Sequence, residues 1–174
     1  MEYSNLNQKI LRSEHRIRFS ECDAFGHMNN ALYLSHFIET RTAQLRDTHG
    51  FDAFEQGKTT GRNWVVQDTR IRYFYPAQLN KLVTTETRLL EFDRNTLRPE
   101  GLMYDYTTGR LHALVWFRLS YVDLERGRPA RHEPEFLSLV ESLLDDSPEL
   151  ERDDFEKRIK QIQSEGRVPV AIAS

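Results

Sequence analysis

A chain of 174 residues with 39% hydrophobic and 11% aromatic content can bury one sizeable core and is too short for two ordinary domains. Its formal net charge of −3 offers no global basic surface for nucleic acid or an anionic membrane, which leaves a small molecule or a protein as partner. A single cysteine, Cys22, excludes an internal disulfide framework and fits a reducing, cytoplasmic address; no signal-peptide core opens the sequence and no run of about 18 apolar residues occurs, so no membrane insertion is expected.

The stretch EHRIRFS, Glu14 to Ser20, alternates with Ile17 and Phe19 on one side and predicts a first strand with one buried face. Leu34, Phe37, Ile38, Arg41 and Leu45 then fall at helical spacing, with Asn29 as the natural cap and Gly50 as the stop. Gly50 to Arg62, with two further glycines, reads as a loop whose phenylalanines pack in part. Four stretches rich in β-branched and aromatic residues follow: WVVQDTRIRYFYP, KLVTTETRLLEF, TLRPEGLMYDY and LHALVWFRLSYVD. In the last, Leu111, Ala113, Val115, Phe117, Leu119 and Tyr121 make an apolar face that the early helix must cover. Pro99 marks an edge, a bulge or an error in the third stretch, because proline cannot donate to a ladder. EPEFLSLVESLL predicts a helix, and Ser147, Pro148 and Gly166 bracket a second. The last eight residues, RVPVAIAS, are short and apolar and are expected to dock on the body or on a neighbouring subunit.

This order predicts an α+β fold, an antiparallel sheet wrapped around one long central helix with added C-terminal helices. Residues 1–144 form the main domain and 145–174 a helical extension and tail. An exposed sheet edge would be relieved by pairing two copies, so a homodimer, or a homotetramer built from dimers, is the expected unit.

Chemistry concentrates where the helix begins. Asp23-x-x-Gly26-His27-x-Asn29-Asn30-x-x-Tyr33, followed by Glu39-x-Arg41, resembles the signature of the hotdog-fold acyl-CoA thioesterases of the 4-hydroxybenzoyl-CoA thioesterase superfamily, and is similar to the matching segment of plant acyl-carrier-protein thioesterases. IRYFYPAQLNKLVTTETRLLEFDRNTL and YVDLERGRPARHEPEF resemble later strands of that family, so the likeness runs from about Glu14 to Leu144. The resemblance implies a hotdog fold, hydrolysis of acyl-CoA or acyl-ACP in lipid metabolism, Asp23 as nucleophile or general base, and the backbone N–H of Asn30 as oxyanion donor. Phe25 stands where the plant relatives carry asparagine, and His27 is therefore given an assisting role only.

The residues support the same site independently. A helix N-terminus has N–H groups without intrahelical acceptors and a positive partial charge, which suits a developing oxyanion, and a carboxylate just before it can attack or activate water. With Asn29 as cap, the N–H groups of Asn30 and Ala31 are expected to point out of the helix end. Asn29, Ala31, Tyr33, Glu39 and Tyr73 are the candidate substrate contacts, with Trp64, Phe74 and Tyr75 as further wall candidates. Glu39 and Arg41 do not face each other on a helix and read as members of a buried or interfacial ion-pair network rather than as catalytic groups. Cys22, one residue from Asp23, should point the opposite way. Arg126, Arg128 and Arg131 form a solvated turn or a phosphate-binding patch. No metal-ligand spacing and no cofactor loop is present, so no metal and no cofactor is predicted. Two alternatives share the fold: a non-catalytic acyl-thioester-binding or assembly module, and a hydratase or dehydratase. The missing Phe-Pro after His27 argues against the hydratase.

Overall fold

The computed structural model describes residues 8–166. Five main strands, β1 (Leu11–Arg16), β2 (Arg62–Tyr73), β3 (Leu82–Phe92), β4 (Thr96–Asp105) and β5 (Leu111–Asp123), form an antiparallel sheet in the order β1-β3-β4-β5-β2, and a short β6 (Arg128–Pro129) pairs with β5. Helix α1 (Asn30–His49) packs Tyr33 and Phe37 onto Val83, Met103, Ala113, Val115 and Phe117 of the sheet. This is the expected hotdog arrangement; of the alternating face of β5, Ala113, Val115, Phe117 and Leu119 pack in the cluster with α1, whereas Leu111 joins the cluster under α4 and Tyr121 packs on Trp64 and His132. Gly101 of β4 lets helix and sheet approach closely, since a Cβ there would lie 2.5 Å from the Phe37 ring.

The opposite face of the sheet is covered as well. Helix α4 (Phe155–Ser164) places Phe155, Ile159 and Ile162 on Leu102, Leu114 and Trp116. Each such large apolar side chain contributes about 1.5–3 kcal/mol when fully buried. A third cluster joins helix α3 (Pro134–Leu143), through Phe136, Leu139, Val140 and Leu143, to Phe51 and Leu89.

Between α4 and the sheet lies a buried ionic cluster. Arg158 donates through Nε and Nη2 to the two oxygens of Glu100, each at 2.9 Å, and Trp116 Nε1 donates to the same carboxylate at 2.8 Å. Arg88 bridges Glu86, Glu100 and Asp145, and Arg12 reaches Glu86 at 2.9 Å. Burial alone would raise the Glu86 carboxyl, but the neighbouring Arg88 and Arg12 outweigh it and hold it below the usual carboxylate range.

Several expectations are corrected. The first strand ends at Arg16, and Phe19 is 82% exposed rather than paired with buried Ile17. The alternation breaks because Phe19–Glu21 forms a single 3-10 turn, in which Glu21 accepts from Arg18 N at 2.7 Å and from His15. The predicted loop after Gly50 contains helix α2 (Ala53–Thr60), capped by Asp52, which accepts from Phe54 N and Glu55 N, and closed by left-handed Gly61. Gly57 misled the reading; it serves a close approach, since a Cβ there would lie 2.7 Å from Asn63 Nδ2. The last helix starts at Phe155 under Asp154 rather than at Ser147, whose hydroxyl is spent on Asp145 at 2.6 Å. Pro99 lies inside β4 opposite Leu89, beside a register shift in β3 between Leu89 and Glu91, so the bulge belongs to its partner strand. The expected docking of the RVPVAIAS tail lies outside the described residues. No helix among the described residues is long and apolar enough to cross a membrane.

Candidate active site

The segment before α1 is a tight hairpin. Cys22 and Met28 form an antiparallel bridge, Asn29 N donates to Glu21 O at 2.8 Å, and Asp23 N donates to His27 O at 2.8 Å. In this register Glu21, Asp23, His27 and Asn29 share one face, whereas Cys22 and Met28 take the other. Packing agrees: Met28 is in the core and Cys22 lies against it, opposite to Asp23 as expected. Burial and the nearby Asp23 and Glu21 push the Cys22 thiol up, which disfavours a nucleophilic thiolate. Gly26 turns the hairpin at φ 74, a left-handed conformation that glycine adopts freely.

Asp23 is exposed, and its orientation is fixed from within the turn. Oδ1 accepts from Phe25 N at 2.9 Å and from His27 N at 3.2 Å. Among the described residues Oδ2 accepts no hydrogen bond, so one carboxylate oxygen holds the loop and the other faces outward. Six residues on, Asn29 caps α1 by accepting from Ala31 N at 3.0 Å. The expectation that both the Asn30 and Ala31 N–H groups are free is therefore corrected: the Ala31 N–H is committed to the cap. The Asn30 N–H has no intrahelical acceptor by its position, and no other acceptor meets it among the described residues. No acid lies in the first turn of α1, so the positive end of the helix is not neutralised by its own side chains.

Tyr73, at the end of β2, donates its hydroxyl to Asn30 O at 2.9 Å and ties the helix start to the edge strand. Its ring meets that of Tyr33 edge-on at 5.2 Å. Tyr33 is 2% exposed and accepts from Ala77 N at 3.3 Å; burial pushes its phenol up, which suits a wall rather than an acid.

Beyond Tyr33, an apolar cavity of about 240 Å³ runs between α1, the sheet and α3. Phe37, Ile38 and Trp64 line it, but Asp23 and Asn30 do not; it begins two turns further along the helix than the site. Of the aromatic wall candidates, Trp64 is the one in this cavity. Phe74 packs on the opposite side of the sheet, and Tyr75 lies under Arg110. Glu39 is exposed in a separate polar cleft with His15 and Glu21. Among the described residues neither Glu39 nor Arg41 joins an ion pair, so the buried form of the expected network is not found there. Arg126, Arg128 and Arg131 are exposed around the β5–β6 turn, beside the Arg62 end of β2. Tyr73 and the helix start are at the other end of that strand, about 35 Å away.

Two features escaped the sequence reading. His36 is buried, bonded to Thr85 Oγ1 at 2.8 Å, and burial pushes its imidazole down to about 4. Arg41 is partly buried against β3 with Thr87 Oγ1 at 3.1 Å as its one hydrogen-bond partner among the described residues, and desolvation lowers it to about 10. Among the described residues no group of three or more His, Cys, Asp or Glu side chains is arranged to hold a metal.

A family model described as the thioesterase-like superfamily matches residues 17–140. No curated protein matches the chain. Among solved structures the chain is similar to the probable thioesterase YbaW from Escherichia coli, at 22% identity over 78% of this chain and 99% of that one, with a TM-score of 0.66. It is similar to a DHNA-CoA thioesterase from Staphylococcus aureus at 18% identity, 97% of each chain and a TM-score of 0.67. A further Staphylococcus aureus protein, solved in complex with CoA, gives 13% identity over 85% of this chain and 89% of that one, with a TM-score of 0.72.

Proposed function

The chain belongs to the thioesterase-like superfamily, and from that premise we propose that it hydrolyses acyl thioesters, with coenzyme A or acyl carrier protein as the leaving group. Two observations support the reading: an exposed Asp23 carboxylate is held in one orientation in the hairpin that leads into α1, and the Asn29 cap leaves the Asn30 N–H of that helix end uncommitted among the described residues. The names of two solved relatives favour coenzyme A over carrier protein.

In this mechanism the thioester carbonyl oxygen accepts from Asn30 N–H, and the dipole of α1 stabilises the negative charge that develops there. Asp23 Oδ2 either attacks the carbonyl carbon, expelling the thiolate and forming a mixed anhydride that water opens, or removes a proton from the attacking water. The two N–H groups on Oδ1 hold the carboxylate in one orientation for either route. His27, on the same hairpin face, assists by contacting water or substrate. Asn29 acts through the cap, and Tyr33 and Tyr73 hold the carbonyl's side of the cleft. We place a second copy along the free β2 edge, where Val65 and Val66 are 41% and 48% exposed; sedimentation would read its presence. The single thiol, Cys22, fits a cytoplasmic enzyme.

The test is to incubate the purified protein with a panel of acyl-CoAs, and with acyl carrier protein thioesters, in the presence of a thiol reagent. The reading predicts thiol release from at least one substrate. Binding without release throughout would support an assembly module, and hydration with the thioester intact would support a hydratase. A single turnover in ¹⁸O-labelled water separates the routes when water opens the anhydride at the Asp23 carboxyl carbon: the label then stays on Asp23 and the released acid carries an unlabelled Asp23 oxygen, whereas the general-base route puts the label in the acid.

A further inference from the structure

Arg41 is a partly buried cation on the wall of an apolar cavity, and among the described residues it has no acid to pair with. Its guanidinium has five N–H donors, and one is used, by Nη1 toward Thr87 Oγ1. Thr87 in turn donates to Gln44 Oε1, so that chain of hydrogen bonds is complete without the remaining donors. Among the described residues no carboxylate lies within ion-pair distance of Arg41. Glu100 also lines the cavity, but both its oxygens are held by Arg158 and one also by Trp116. The surface that Arg41 keeps is cavity wall, among Phe37, Leu45, Trp64 and Leu89. A partly buried charge with unused donors facing apolar wall gains from a group that supplies oxygens to them.

The helix also fixes where that group would come from. Asn30, Leu34, Phe37, Ile38 and Arg41 follow one another at spacings of three and four along α1, so the site and the cavity lie on one stripe of the helix. Asn30 and Arg41 are eleven residues apart, which is about 16 Å along the axis, and the side chain leans back toward the N-terminus. An acyl chain whose carbonyl meets Asn30 N–H would thus bring its far end to the guanidinium after about 10–16 Å, or about 8–13 extended bonds.

We propose that Arg41 selects acyl groups carrying a carboxylate at the end remote from the thioester, the guanidinium and that carboxylate pairing inside the apolar cavity. The inference rests on the thioester reading for the position of the carbonyl. It makes Arg41 a specificity-determining residue, remote from the reacting atoms. A bidentate guanidinium–carboxylate pair supplies the oxygens the fold lacks, whereas a methyl-ended chain leaves the charge unpaired.

The test compares the coenzyme A monothioester of decanedioic acid with decanoyl-CoA, which differ only at the chain end. The wild type is expected to favour the carboxylated substrate at least about tenfold in kcat/KM, as expected for charged hydrogen bonds. Arg41→Gln should reduce that ratio to about one or below, and Arg41→Lys should retain part of it. Removing this unpaired charge should not lower the melting temperature. Should neither thioester be cleaved, calorimetry with free decanedioate decides: binding by the wild type and loss in Arg41→Gln upholds the inference while the hydrolase reading fails. Equal or better use of decanoyl-CoA by the wild type overturns the inference. So does absence of decanedioate binding where no thioester is cleaved, or a variant that loses stability or self-association with the substrate ratio unchanged.

Discussion

Gly101→Ala tests the packing that sets the cavity. The new methyl carbon would lie 2.5 and 2.8 Å from two ring carbons of Phe37 and 2.9 Å from Val115 Cγ1. Phe37 is 1% exposed and Val115 is fully buried, so neither can swing clear and α1 must lift from β4. Overpacking of this kind costs about 1–3 kcal/mol, offset by about 0.5–1 kcal/mol because alanine loses less backbone entropy than glycine in a strand. The net expectation is about 1–2 kcal/mol, or about 2–8 °C in a chain of this size. Urea denaturation should show a lower midpoint at unchanged slope. The same substitution in a Phe37→Leu background should cost clearly less, with a coupling of about 0.5–3 kcal/mol. Equal cost in both backgrounds, or none in the wild type, would refute the argument that the helix is held by this contact.

Two further outcomes follow from buried polar groups. His36 is held down to about 4 by burial, so between pH 6.5 and 4 the unfolded chain binds the proton that the folded chain refuses; stability falls as pH falls through that window, by up to about 3 kcal/mol. Burial lowers His112 and His132 in the same direction, so His36→Gln should flatten the loss between pH 7 and pH 4.5 without removing it, as thermal melts at each pH would read. Arg158→Met leaves Glu100 buried with one of its two arginines, and equilibrium unfolding should show a loss of about 3–5 kcal/mol, with faster amide exchange in α4.

The main strands and α1 were legible because their patterns match their burial: alternation in β5, apolar spacing of three and four in α1, and asparagine and glycine at its ends. The site hairpin was legible in part. Its residue types pointed to an acid beside a helix end, but the commitment of Ala31 N–H to Asn29 needed coordinates. The ionic cluster was hidden because Glu86 and Arg88 look like solvent positions of a half-exposed strand; they are buried because α4 covers that face. The i, i+2 spacing of opposite charges in β3, together with Glu100 in β4, was the available signal. The separation of Glu39 and Arg41 onto different helix faces was legible from their spacing, one reaching a polar cleft and one the cavity, but the absence of an acid beside Arg41 among the described residues needed coordinates. The α2 helix was missed because glycine content outweighed the Asp52 cap.

The most direct measurement is kcat/KM for the best acyl-CoA substrate in Asp23→Asn, taken with the melting temperature. An asparagine oxygen can still accept from Phe25 N and His27 N, so the hairpin should survive while the nucleophile or base is lost. The account predicts a fall of at least about a hundredfold with melting unchanged. Turnover within a few fold of wild type in a folded Asp23→Asn protein would contradict it.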